Sequence, residues 1–127
     1  MSNPSPIDAL FGAVARYFDL MFDNDVSRFE QVFASSAQLH GLRDGKLRLW
    51  SAPEYRNALA SAASPKSKQA PRLQEILLVD VASSVQALVK VRVRIDLVQY
   101  VDYLSYHRID DVWLITAKSF HIERRYE

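Results

Sequence analysis

Hydrophobic residues recur at helical spacing through the first quarter of the chain. Ile7, Leu10, Phe11, Val14, Tyr17, Phe18, Met21 and Phe22 form one stripe, with Asp8, Gly12, Arg16 and Asp19 opposite. Ser5-Pro6-Ile7-Asp8 supplies a capping serine, a proline for the first helical position and an acid three residues after the cap. Asp23-Asn24-Asp25 is a turn cluster able to cap a second, shorter helix carrying Val26, Phe29, Val32 and Phe33. Residues 38–43 and 46–50 then flank Asp44-Gly45, a dipeptide suited to a two-residue primed turn, which predicts a hairpin. That turn sets Gly41 across from Arg48 and Leu39 across from Trp50. Ser51-Ala52-Pro53-Glu54 is a further capping-box pattern, followed by Tyr55, Leu59 and Ala62 on one helical stripe. After a polar loop over 64–71 the period changes to two. Residues 73–82, 85–97, 99–109 and 112–126 read as strands joined by short connections, which favours an antiparallel meander. Helices followed by a run of strands place the chain in the α+β class, with helices packed on one face of a sheet.

Composition narrows the function classes. The 127 residues, 49% hydrophobic, fit one domain with its own core. Cysteine is absent, which excludes disulfides, thiolate metal sites and cysteine nucleophiles. Sixteen Lys and Arg balance fifteen Asp and Glu, a net charge of +1, so no whole-chain field draws the protein to nucleic acid or to an anionic membrane. No apolar run approaches a membrane span. Residues 1–4 carry neither a basic start nor an apolar core, so no signal peptide is expected, and a cytoplasmic protein without membrane or nucleic-acid partners is. No metal-ligand spacing or cofactor motif stands out, so no metal and no cofactor are expected.

The stretch Val14-Ala15-Arg16-Tyr17-Phe18-Asp19, continued by Asp25-Val26, Phe29, Val32-Phe33-Ala34 and Ala37-Gln38-Leu39, resembles the opening of ketosteroid isomerases and polyketide-cyclase-like proteins. These belong to the nuclear transport factor 2-like superfamily, which has a cystatin-like fold. The ending is similar to a bacterial branch of that superfamily named for lumazine binding. It runs from Asp102-Tyr103-Leu104-Ser105 through Asp110-Asp111-Val112-Trp113-Leu114-Ile115 to Lys118-Ser119-Phe120-His121. The resemblance implies a single domain over 1–127, with three helices packed on a strongly curved, mainly antiparallel sheet. Together they would form a cone around a pocket, and the outer face of the sheet would make a homodimer.

If Asp110-Asp111 is a two-residue turn, Ile109 faces Val112, His107 faces Leu114, Ser105 faces Thr116, Tyr103 faces Lys118 and Val101 faces Phe120. Matching to the isomerases turns this side inward. The expected pocket is then Tyr17, Arg48, Trp50, Tyr55, Val89, Val91, Tyr103, Ser105, Thr116, Lys118 and Phe120. The basic stripe Lys90, Arg92 and Arg94, with Asp102, Tyr106 and Trp113, falls on the outer, dimer-forming face. His40 and His121 point away, and His107 points in. Steroid isomerisation uses an aspartate base with an oxyanion hole of tyrosine and a protonated aspartic acid. The match retains the tyrosine as Tyr17 but puts Gly41 at the base and Ser105 at the acid, so that machinery is excluded. Tyr17, His107 and Lys118 remain as catalytic candidates. The expected role is a small-molecule binder whose mostly apolar pocket directs Lys118, Tyr17 or Arg48 at a carbonyl or anionic group on an aromatic or polycyclic ligand. The alternatives are an isomerase, lyase or cyclase acting on a cyclic carbonyl or polyketide-like substrate, and an interaction module using the outer sheet face.

Overall fold

The computed structural model describes residues 5–126, so the expectation about a signal peptide, which falls on residues 1–4, lies outside it. The first helix, α1 (Pro6–Asp23), starts where the side chain of Ser5 accepts the Asp8 N–H at 3.2 Å. It stops at Asn24, whose left-handed backbone (φ 53°) returns its N–H to the Leu20 carbonyl. Leu10, Ala13, Val14, Tyr17, Phe18, Leu20 and Met21 form its buried face. Ile7 and Phe11 fall at the margin of that stripe and stay 46% and 43% exposed, against the sequence expectation. The shorter second helix is a 3₁₀ segment (Val26–Gln31) begun by the Asp25 side chain. Val32 and Phe33 are not part of it: the Val32 carbonyl accepts from the Ile115 N–H, and Phe33 opens the first strand.

Six strands follow, interrupted once by a helix: β1 (Phe33–Arg43), β2 (Lys46–Ser51), α2 (Ala52–Ser61), β3 (Gln74–Ser83), β4 (Gln86–Ile95), β5 (Val98–Ile109) and β6 (Val112–Arg125). They form one sheet in the order β2-β1-β6-β5-β4-β3, antiparallel everywhere except between β1 and β6. The helices cover its concave side, giving an α+β cone. Among the described residues no helix is long and apolar enough to cross a membrane. The first hairpin has the predicted register, Gly41 opposite Arg48 and Leu39 opposite Trp50.

The last hairpin begins as predicted and then departs from it. Asp110 and Asp111 adopt φ of 49° and 64°, a two-residue turn that sets Ile109 opposite Val112 and His107 opposite Leu114. Tyr106 then pairs with Ile115 but Ser105 pairs with Ala117, leaving Thr116 as an extra residue on β6. Beyond this bulge Tyr103 lies opposite Ser119, and Val101 opposite His121. The predicted pairs of Ser105 with Thr116, Tyr103 with Lys118 and Val101 with Phe120 do not form. On its other side β6 meets a second irregularity, where Phe33 pairs with Ile115 and Gln38 with Ala117. Extra residues bend a strand and increase its twist, so this is where the sheet curls around the helices.

The bulge also decides which side chains face inward. Val89, Val91 and Val93 are buried and sit opposite Leu104, Asp102 and Tyr100. Asp102, Tyr106 and Trp113 are therefore interior residues, not members of an outer face as the sequence led us to expect. Tyr103, Ser105 and His107 stand on the opposite, outer side of β5, and the bulged Thr116 joins them: its hydroxyl lies 2.6 Å from His107 Nδ1. The extra residue reverses the alternation of β6. Trp113 and Ile115 point in before it, and Lys118 and Phe120 after it.

Candidate functional site

Between α1, α2 and the concave sheet lies a cavity of about 240 Å³. Its deep end is made by Met21 of α1, Leu39 of β1 and Lys118 of β6, each at most 4% exposed. Trp50, Tyr55, Leu59, Tyr100 and Phe120 form apolar walls, and Arg43 and Asp96 reach it at the rim. Local structure holds these walls in place. The capping box of Ser51 and Glu54 fixes the start of α2 and with it Tyr55, whose ring meets Trp50 edge-on at 6.2 Å. The side-chain amide of Asn24 donates to the Leu59 carbonyl at 3.2 Å, tying the end of α1 to α2. Gly41 has no side chain because the Phe120 ring occupies that place; a Cβ would run into it.

Asp102 and Lys118 are the two buried charged residues among the described residues, and they meet at the cavity floor. The Tyr17 hydroxyl donates to Asp102 Oδ2 at 2.5 Å. Lys118 Nζ lies 3.8 Å from the same oxygen and donates to the Tyr55 hydroxyl at 3.2 Å, which in turn donates to Met21 Sδ at 3.3 Å. The rings of Tyr17 and Tyr55 flank the ammonium at 5.1 and 5.0 Å, supplying cation–π attraction to a buried charge. A buried charge is tolerated only when so paired. Burial pushes the Asp102 carboxyl above its ordinary value, against the pull of Lys118 and the Tyr17 hydrogen bond. Burial works against the charge on Lys118, but Asp102 and Tyr55 outweigh it and hold the ammonium above the usual lysine value. Tyr17 is raised well above the ordinary tyrosine value, by burial first and by the Asp102 charge second. An amine held protonated in this way donates hydrogen bonds and is not a nucleophile.

Of the pocket residues named from the sequence, Trp50, Tyr55, Lys118 and Phe120 line this cavity. Tyr17, Val89 and Val91 lie in the core behind its floor, and Arg48 borders a separate surface depression beside Trp50 and Glu54. Tyr103, Ser105 and Thr116 are on the far side of the sheet, as is His107, which removes it from the interior. Asp102 takes the place beside Tyr17 where the isomerase comparison had put Ser105. Its position was legible through the other hairpin: a two-residue turn at Asp96-Leu97 aligns the inward valines with Tyr100, Asp102 and Leu104. Tyr17 and Asp102 thus stand together as a hydroxyl and a carboxyl, but Lys118 separates them from the cavity. No carboxylate stands at Gly41, and its space is filled by Phe120. Among the described residues no group of three or more His, Asp or Glu is placed to hold a metal ion.

Comparison with known proteins agrees with this architecture. Residues 5–121 match the sequence profile of a family described as "Putative lumazine-binding". No curated protein matches the chain in sequence. Among solved structures, an NTF2-like protein of unknown function from Silicibacter pomeroyi superposes with a TM-score of 0.84 at 23% identity, covering 97% of this chain and 100% of that one. A cystatin-like fold protein from Burkholderia xenovorans gives 0.71 at 16% identity, over 94% and 93% of the two chains. A ketosteroid isomerase-like protein from Erwinia carotovora atroseptica gives 0.64 at 10% identity, over 94% and 95%. The matched span of sequence identifies the chain as a member of the family described as "Putative lumazine-binding", and its fold is that of the NTF2-like and cystatin-like structures.

Proposed function

We propose that the protein binds a small, largely apolar ring compound in the cone, with one polar acceptor of the ligand placed at Lys118 and Tyr55. The observation that carries this reading is the cavity itself, apolar along its walls and closed at the bottom by a buried ammonium. Ligand sites commonly combine apolar walls with a few placed polar groups. The family description points the same way, toward a small-molecule ligand. Binding is favoured over turnover because the acid–base groups are spoken for: the Tyr17 hydroxyl is donated to Asp102, and His107 is bonded to Thr116 on the far face. The test is calorimetric titration with 2-acetylnaphthalene, a neutral two-ring ketone. Saturable one-to-one binding is expected, and Ala58→Trp, which fills the cavity from α2, should abolish it while the circular dichroism spectrum is unchanged. Binding that survives Ala58→Trp would place the ligand elsewhere.

A homodimer through the outer sheet face forms the second part of the proposal. One row crosses all six strands in register, Leu49, His40, Ser119, Tyr103, Lys90 and Leu78. Its two ends, Leu49 and Leu78, are 58% and 51% exposed. Leu42 and Leu47 extend the apolar end on the same face. Large apolar side chains exposed together are a mark of association.

A further inference from the structure

The charge count at the cavity floor selects between ligand types. Lys118 has three N–H groups. One is donated to Tyr55, one is directed at Asp102 Oδ2, and the third has only the Met21 sulfur, a weak acceptor, at 3.9 Å. The free floor is electrically neutral, since the ammonium is balanced by the carboxyl of Asp102. No other charged group is buried among the described residues. Each element packed around Asp102 contributes an uncharged group or the lysine itself. These are Tyr17 from α1, Tyr55 from α2, Val91 opposite it on β4, Tyr100 on its own strand, and Lys118 on β6. A neutral carbonyl oxygen can replace the Met21 sulfur and complete the lysine's hydrogen bonds without changing the charge. A carboxylate in the same position would leave the buried floor with a net negative charge, unless one proton were taken up with the ligand. Asp102 is the acceptor for that proton, because its Oδ1 is buried with no partner while Tyr17 and Lys118 both address Oδ2.

Resting on the reading of the cavity as a ligand site, we infer that the floor built by Lys118, Asp102 and Tyr55 selects neutral carbonyl-bearing ligands and admits the corresponding anions only together with a proton. The raised carboxyl of Asp102 makes it a willing acceptor, which supports the same assignment.

The experiment titrates 2-acetylnaphthalene and 2-naphthoate, the same ring system with a ketone or a carboxylate, into the full chain by calorimetry between about pH 6 and 8. At pH 8 the ketone should bind about tenfold or more tighter, as a buried unpaired charge costs more than that factor corresponds to. Ketone affinity should not change with pH. Naphthoate affinity should fall about tenfold per pH unit, the signature of one linked proton. Asp102→Asn leaves the lysine unbalanced and should reverse the preference in favour of naphthoate, with the pH dependence gone. If that variant does not fold, the wild-type pH profiles and the proton uptake measured in two buffers of different ionisation enthalpy carry the same information. Naphthoate binding as tightly as the ketone at pH 8, or binding with no linked proton, overturns the inference while leaving the cavity a ligand site. Failure of both probes overturns the binding reading and the inference with it.

Discussion

Tyr17, Tyr55, Tyr106 and Lys118 all keep their protons to higher pH in the folded protein than in the unfolded chain. For the three tyrosines burial is the main cause; for Lys118 burial is the largest single influence and acts against the charge, but Asp102 and Tyr55 together outweigh it. Above the ordinary tyrosine and lysine values the unfolded state therefore holds fewer protons than the folded one, and stability falls as pH rises. The contribution is fully present below about pH 10 and is lost above it, at about 1.4 kcal/mol per pH unit for each group titrating in the unfolded state alone. Asp102 has the same sign at the acid end: its raised carboxyl means stability is lost, not gained, as pH rises from its ordinary value. The expected result is a urea midpoint that drops steeply from about pH 9 to 11.5, with Tyr17→Phe shallower by one proton. A flat midpoint over that range would show that these groups are solvated.

At the scale of elements, the hairpins were readable because their turns carry local chemistry. Asp44-Gly45 fixed β1 against β2, and Asp110-Asp111 fixed the near half of β5 against β6. Both aspartates of the second turn sit in the left-handed region, where an L side chain costs about 1 kcal/mol and glycine does not. Asp111→Gly should therefore stabilise the protein, since the ion pair it removes, at 3.6 Å from Arg108, joins a carboxylate that is 92% exposed. A rise of about 2–5 °C in thermal midpoint is expected, and a fall would mean that the Asp111 side chain matters to the hairpin. The bulge at Thr116 was not readable. It has no glycine or proline to mark it, and it lies where β6 pairs with β1 on one side and β5 on the other, a long-range arrangement that local sequence does not display. That one residue explains why Tyr103 and Ser105 were read as interior and Asp102 as exterior. The size of the side chains was a usable warning: Leu104, Tyr106, Trp113 and Ile115 are bulkier than Ser105, His107 and Thr116, and burial follows bulk here.

At the scale of the whole molecule, no helix among the described residues covers the outer side of the sheet, where Leu49, Tyr103 and Leu78 are exposed. A free face bearing Tyr103 at its centre and leucines toward its edges would lose apolar area from water on pairing with a second copy. A twofold axis near Tyr103 would bring the leucine-bearing end of β1 and β2 toward the β3 end of the partner. Lys90 already leans over the Tyr103 ring at 5.5 Å, and the Arg92 guanidinium is held by Glu75 and Glu123. The basic stripe is thus partly neutralised within one protomer and opposes pairing less than its sequence implied. Light scattering after size exclusion at tens of micromolar should give twice the monomer mass, within the range of an ordinary specific interface. Tyr103→Glu combined with Leu49→Glu places like charges on both copies at the centre and edge of the face, and should give a monomer with the cavity and its ketone binding intact. A wild-type monomer at that concentration would assign the exposed face to a different partner. A double variant that stays dimeric would move the interface to one of the sheet edges, β2 or β3, whose backbone groups are unpaired on their outer sides.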